Sequence, residues 1–223
     1  MLSPAASQHV GVVLRMQPGE ALTLFCGDDR EFSATILTVD KKKVTVTIDD
    51  VHSINRESSR IIHLAQAVSK GERMEWVIQK AVELGVASIT PLITAHCVVR
   101  LDKERSNKKQ AQWQAIAIAA CEQSGRTRVP TVHPLCSFED FLQENRASTN
   151  LILHPYATET LRDITVKDDI ALLIGPEGGL SEQEIHVAQN TGFKAIRLGP
   201  RVLRTETAAI VALGVLQALS GDL

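Results

Sequence analysis

The sequence predicts an α/β protein in two parts: a β-rich N-terminal domain, then a domain built on a parallel sheet covered by helices. Three observations carry this expectation. Between Ala21 and Ile48, three β-rich runs alternate with short polar turns, as in an antiparallel meander. From Glu72 onward, stretches of helical periodicity take turns with short apolar runs, which is the pattern of a parallel α/β sheet. One such run, Ala171–Ile174, passes directly into "GPEGGLSEQEI", so an apolar strand buried on both faces is followed by a bare loop and then a helix start.

Taken in order, "ALTLFC", a turn at Gly27-Asp28-Asp29, "EFSATILTV", a charged turn at Lys41-Lys42-Lys43 and "VTVTI" make up the meander. The change of texture near residues 60–70, around Ser69-Lys70-Gly71, places a boundary that gives a first domain of residues 1–66 and a second of residues 67–223. "ERMEWVIQKAVELG" then spaces Met74, Val77, Ile78, Ala81 and Leu84 along one helical face and stops at Gly85. "VASITPLI" reads as a strand, Arg100–Lys109 as a basic segment, and Trp113, Ile116, Ala117, Ala120 and Cys121 as a helix that stops at Gly125. Further strands are expected at Val129–Val132, Leu151–His154, Leu172–Gly175 and Ala195–Gly199, with helices near Ser137–Asn145 and Ser181–Asn190. Ser181 and Glu184 have capping-box spacing, which starts the second of those helices. Ala208–Leu216 is apolar nearly all round, so that helix belongs in the core or at a dimer interface.

Composition narrows the function classes. Lys plus Arg number 24 against 26 Asp plus Glu, so nucleic-acid binding has to come from a local patch rather than a global field. Cys26, Cys97, Cys121 and Cys136 lie far apart with no Cys-x-x-Cys pair, which argues against a zinc site or redox motif and for reduced thiols in the cytoplasm. No leader pattern opens the chain, and the apolar stretch nearest to spanning length, Ala208–Leu216, is too short, so no membrane partner is expected.

Loops at the carboxyl ends of parallel strands bind ligands in open α/β sheets, and the Gly-Pro-Glu-Gly-Gly turn has an echo at Gly199-Pro200. Two such loops on one sheet edge would wall a pocket. Neither contains the glycine pattern of a dinucleotide fold or a P-loop, so phosphate cradling is not the expected use. The bare turn is expected to keep side chains clear of a bound nucleoside. The alternative is that Gly-Pro ends the strand and the glycines make a tight connection.

"CEQSGR", "LILHP", "LLIGPEGGLS" and "LGPRVLRTETAA", in that order behind a β-rich domain, closely resemble the ribosomal RNA uridine-N3 methyltransferase family, the RsmE-like members of the SPOUT class. The resemblance implies a small PUA-like β-barrel domain for RNA, followed by a SPOUT methyltransferase domain with a parallel sheet and C-terminal trefoil knot. It also implies S-adenosyl-L-methionine as methyl donor, 16S ribosomal RNA or the small ribosomal subunit as substrate, a homodimer, and no metal. General topology rules would have excluded the knot, because chains almost never thread. Family members usually carry a further strand before the segment that here runs from His9 to Arg15, so an incomplete barrel is expected.

Carried over by motif, the donor-binding positions are Leu153, His154, Pro155, Ile174, Gly175, Pro176, Glu177, Gly178, Leu198, Gly199, Leu203 and Arg204. His154 reads equally as a ligand contact or as a structural residue ending a buried strand. Removing the N3 proton of uracil spreads negative charge over the ring, which a fixed arginine stabilises: Arg204 is the first choice and Arg126 the second. Glu177 or Glu206 is the candidate base, Glu177 reading also as a ribose ligand or a solvated loop carboxylate at a helix start. RNA phosphates are assigned to Arg15, Arg100, Lys103, Arg105, Lys108, Lys109, Arg126 and Arg128. Two other readings stay open: a related enzyme acting on a ribose hydroxyl or on transfer RNA, and an RNA-binding assembly factor without activity.

Overall fold

A computed structural model describes residues 1–40, 43–99, 102–167 and 169–223. The chain divides into two compact units, residues 1–56 with 125–128 and residues 57–124 with 129–223.

The first unit opens with helix α1 (Pro4–Gln8), whose N-cap Ser3 accepts the Ala6 N–H at 3.1 Å while Pro4 sits where no N–H is needed. A π-helical turn over His9–Val13 follows. Strands β1 (Ala21–Phe25), β2 (Arg30–Asp40) and β3 (Lys43–Ser53) then form an antiparallel sheet in that order. Alternation along the strands puts Ile36 and Val44 inward, where they meet Val10 in a small core. The buried Ser7 hydroxyl accepts the Val44 N–H at 3.1 Å and ties α1 to β3. Gly125–Arg128 rejoin this unit, as Arg56 Nη1 donates to Gly125 O at 2.9 Å and the Thr127 hydroxyl to Ile54 O at 3.1 Å.

The second unit contains, in chain order, β4 (Ile61–Ala67), α2 (Arg73–Glu83), β5 (Ser88–Ile93), α3 (Lys103–Ser124), β6 (Thr131–Val132), β7 (Cys136–Ser137), α4 (Phe138–Glu144), β8 (Thr149–Leu153), β9 (Glu159–Thr160), β10 (Asp169–Ile174), α5 (Glu182–Asn190), β11 (Lys194–Arg197) and α6 (Thr205–Ser220). The sheet order is β6-β5-β4-β10-β8-β11-β9, with β7 also on β5, and every pairing is parallel. The central strand β10 is buried almost throughout, which is what its unbroken "IALLI" requires. Leu92, Phe138, Phe141, Ile152, Leu173 and Phe193 form one core cluster against it. Among the described residues, no helix is long and apolar enough to cross a membrane.

Two elements depart from the sequence expectation. β4 received no strand assignment and lies on the N-terminal side of the expected boundary, yet it pairs with both β5 and β10. His63 and Gln66 interrupt its apolar run, and both find distant partners: His63 Nδ1 lies 2.7 Å from the Ser88 hydroxyl, and Gln66 Nε2 donates to Thr205 Oγ1 at 3.0 Å. The basic segment is not separate from the helix that follows, because α3 already begins at Lys103. Lys108 and Glu104 then stand one turn apart as an i,i+4 pair at 2.7 Å.

Candidate functional site

The strands β10, β8 and β11 are neighbours, and the loops leaving their carboxyl ends enclose a cavity of ≈ 670 Å³. That is the position at which open parallel sheets bind ligands, and the volume falls in the usual range for a small-molecule site. Three walls are Leu153–Tyr156, Ile174–Leu180 and Ile196–Gly199, and Arg201–Glu206 leads along the rim into α6. Every position carried over as donor-binding lines this cavity.

The loop after β10 is fixed from three sides. The Gly175 carbonyl accepts from the Thr205 hydroxyl at 2.6 Å, and Thr205 Oγ1 in turn accepts from the buried Gln66 amide. Glu177 accepts the Lys70 N–H at 2.9 Å and Arg73 Nη1 at 2.7 Å, while Arg73 Nε reaches toward Glu206 at 3.7 Å. Burial alone would raise the Glu177 carboxyl; its own backbone N–H, the Lys70 N–H and the Arg73 guanidinium outweigh that and hold it below the usual carboxylate value. The third tie is Glu184, which completes the capping box with Ser181 and also accepts the Ala95 N–H at 2.7 Å.

The bareness of this loop also has a cause within the protein. A Cβ on Gly178 would lie 3.0 Å from the His96 Cβ, and one on Gly175 would lie 2.9 Å from Leu180 Cγ and 3.1 Å from its backbone nitrogen. The close approach of the 94–97 loop and of Leu180 therefore disfavours a side chain at these two positions, as the tight-connection alternative expects. His96 Nδ1 adds a 3.1 Å contact to the Gly179 carbonyl.

Of the candidate catalytic residues, Arg204 is exposed at the rim as the N-cap of α6, and its guanidinium has no ion-pair partner among the described residues. Arg126 is buried in the first unit and does not line the cavity. Glu206 lines the cavity, and its Oε2 is buried without a hydrogen-bond partner among the described residues. Of the expected RNA contacts, Arg15 is exposed in the first unit at φ 55°, and Arg128 there pairs with Asp29. Lys103 is exposed, Arg105 pairs with Asp102, Lys108 with Glu104, and Lys109 with Glu75 at 3.2 Å. Arg100 lies outside the described residues. Arg73, Gln66, His96 and Thr205 were not singled out by sequence, because each acts on a loop far along the chain. Among the described residues, no group of His, Cys, Asp and Glu is arranged to hold a metal ion.

Fold and pocket together define a two-module RNA methyltransferase. Residues 56–217 match the family described as RNA methyltransferase domain, and residues 2–49 match the RNA methyltransferase PUA domain. The chain is 37% identical over 229 residues to the ribosomal RNA small subunit methyltransferase E of Buchnera aphidicola, covering 100% of this chain and 91% of that protein. It is 57% identical, with a TM-score of 0.97, to a methyltransferase from Legionella pneumophila solved with bound S-adenosylmethionine, covering 100% of this chain and 92% of that one. It is 39% identical, with a TM-score of 0.93 and the same coverage, to the Neisseria gonorrhoeae ribosomal RNA small subunit methyltransferase E bound to S-adenosylmethionine. The chain belongs to the ribosomal RNA small subunit methyltransferase E family.

Proposed function

We propose that this protein transfers a methyl group from S-adenosyl-L-methionine to N3 of a uridine in 16S ribosomal RNA, acting on the small subunit in the cytoplasm as a homodimer. The observation that carries the reading is the cavity at the carboxyl ends of β8, β10 and β11, walled by backbone-rich loops and lined by Arg204, which has no ion-pair partner among the described residues, in a chain of this family. The cavity suits the donor: aliphatic Leu153, Ile174, Leu198 and Leu203 beside the backbone of Gly175, Gly178 and Gly199 would hold the adenosine. Bound there, the donor supplies an electrophilic methyl group.

Arg204 then has a defined task. Loss of the N3 proton leaves charge on the flanking carbonyl oxygens, and a permanently charged planar fork stabilises that anion better than a lysine would. Glu177 is already held as an ionised acceptor by Lys70 and Arg73, so it locks the loop; proton acceptance is assigned to Glu206, which keeps an oxygen with no donor among the described residues. The target base has to be unpaired to expose N3. We read the PUA unit as an RNA-binding module. We also read the segment from β8 to α6 as the trefoil knot, a reading supported by β11 returning to pair with β8 on the side away from β10.

The test is nucleoside analysis of small-subunit RNA from cells with and without the protein, together with methyl transfer by the purified protein. Loss of 3-methyluridine alone is expected. A different missing nucleoside, or none, would overturn the assignment.

A further inference from the structure

Tyr156 is the chain's single tyrosine, and its ring is 80% exposed although it lines the cavity. Its backbone is not loose. The His154 N–H donates to Ile196 O at 2.9 Å, the Ala157 N–H closes a tight turn onto His154 O at 3.1 Å, and Ala157 is buried. The His154 ring meets the tyrosine edge-on, with centroids 5.7 Å apart and planes at 75°. An aromatic ring left in water at a pocket, on a backbone whose flanking residues are hydrogen-bonded, is an unfilled stacking surface. Arg201 and Arg204 line the same cavity and are exposed, and neither pairs with a carboxylate among the described residues. Arg201 lies within "LGPRVLRTETAA" and has been given no role above.

Ring and guanidinium match different parts of one ligand. We propose that Tyr156 and Arg201 form a nucleotide subsite at the cavity mouth, the ring stacking on an unpaired base and the guanidinium holding the adjoining phosphate. This rests on the methyltransferase reading, since it places a single-stranded pyrimidine nucleotide next to the donor pocket. A second copy of the chain is a poorer occupant, because a two-fold interface is self-complementary and depleted in charge at its centre, and Arg201 and Arg204 would add like charge from both sides. The donor's own base is also poorer, since the loops that enclose the pocket already offer it aliphatic and backbone walls.

The experiment uses the full chain saturated with S-adenosylmethionine and two readouts. One is binding of a fluorescently labelled oligouridylate, and the other is single-turnover methylation of unmodified small subunits. Stacking on one aromatic ring, judged from alanine substitutions elsewhere, predicts on the order of a ten- to hundredfold loss for Tyr156→Ala in both readouts. Tyr156→Phe should stay within about threefold of wild type, and Tyr156→Leu, with similar apolar bulk but no ring face, should behave like alanine. Arg201→Ala should flatten the slope of log affinity against log salt by about 0.7, the value of one phosphate on a single strand. Donor affinity, melting temperature and sedimentation should be unchanged in all four variants.

The subsite is overturned if Tyr156→Leu matches wild type, if donor affinity falls with the ring, or if the variants dissociate. Binding is read independently of transfer. A wild type that binds oligouridylate through Tyr156 but methylates nothing therefore sinks the assigned reaction and leaves the subsite, whereas full methylation by every Tyr156 variant sinks the subsite and leaves the reaction.

Discussion

Replacing Gly178 by valine separates two accounts of the bare loop. The nearest atoms to a Cβ at this position are the His96 Cβ at 3.0 Å, its Cγ at 3.6 Å and its carbonyl oxygen at 3.7 Å. Gly178 is not among the glycines at positive φ, so backbone strain adds nothing and the effect is steric. Alanine already needs the 94–97 loop to give by a few tenths of an ångström; valine adds two branched carbons, a degree of overpacking that costs about 1–3 kcal/mol. At about 2–4 °C per kcal/mol for a chain of this size, melting should fall by roughly 2–12 °C. Donor affinity should fall with it, because the strain is shared with the Gly175–Gly179 loop, which is a cavity wall. Melting curves and calorimetry with S-adenosylmethionine are then repeated in a His96→Gly background, which removes the Cβ that the valine strikes. The double variant should recover much of the loss in both measurements, a coupling expected only of residues in contact. A Gly178→Val protein that melts like wild type yet fails to bind the donor, with no recovery when His96 is changed, would show that the side chain excludes the nucleoside directly.

Three further outcomes are expected. Thr205→Val strips the Gly175 carbonyl of its donor and the buried Gln66 amide of an acceptor, so denaturant unfolding should show a loss of about 1–3 kcal/mol, largely restored by Thr205→Ser. Glu177→Gln should keep the methylation rate within several-fold, whereas loss of a general base would cost about 10²–10⁴. Because Glu177 titrates below the ordinary carboxylate value, the stability it contributes is present above the unfolded pKa and is lost only as pH falls through its depressed folded value, so a melting-temperature difference between Glu177→Gln and wild type should be flat through neutrality and vanish in acid. Arg204→Ala should bind S-adenosylmethionine within a few-fold of wild type but slow single-turnover transfer by on the order of a hundred- to a thousandfold; near-normal transfer would assign the charge stabilisation to another residue.

What the sequence made legible was whatever is encoded within one element. "IALLI" announces a two-face-buried strand on its own, and Ser181 with Glu184 three residues on announces the helix that starts at Glu182. What stayed hidden was whatever depends on chain closure. β4 looks like a poor strand because His63 and Gln66 break its run, and nothing local reveals that Ser88 and Thr205 will pair with them. The glycines of the loop after β10 are visible, but the neighbour that forbids a side chain at Gly178 is His96, from another loop. Arg126 follows a motif that seemed to lead to the pocket, and the chain instead turns it into the first unit. Basic residues 103–109 show their sign in sequence, while the partner that takes Lys109 is Glu75, on a different helix. Glu177 gives the sharpest case. By position it is a carboxylate beside a ligand loop, hence a candidate base; by its partners Lys70 and Arg73, more than a hundred residues earlier, it is an ionised latch. A residue's place in a motif therefore locates the chemistry here, and only its partners assign the role.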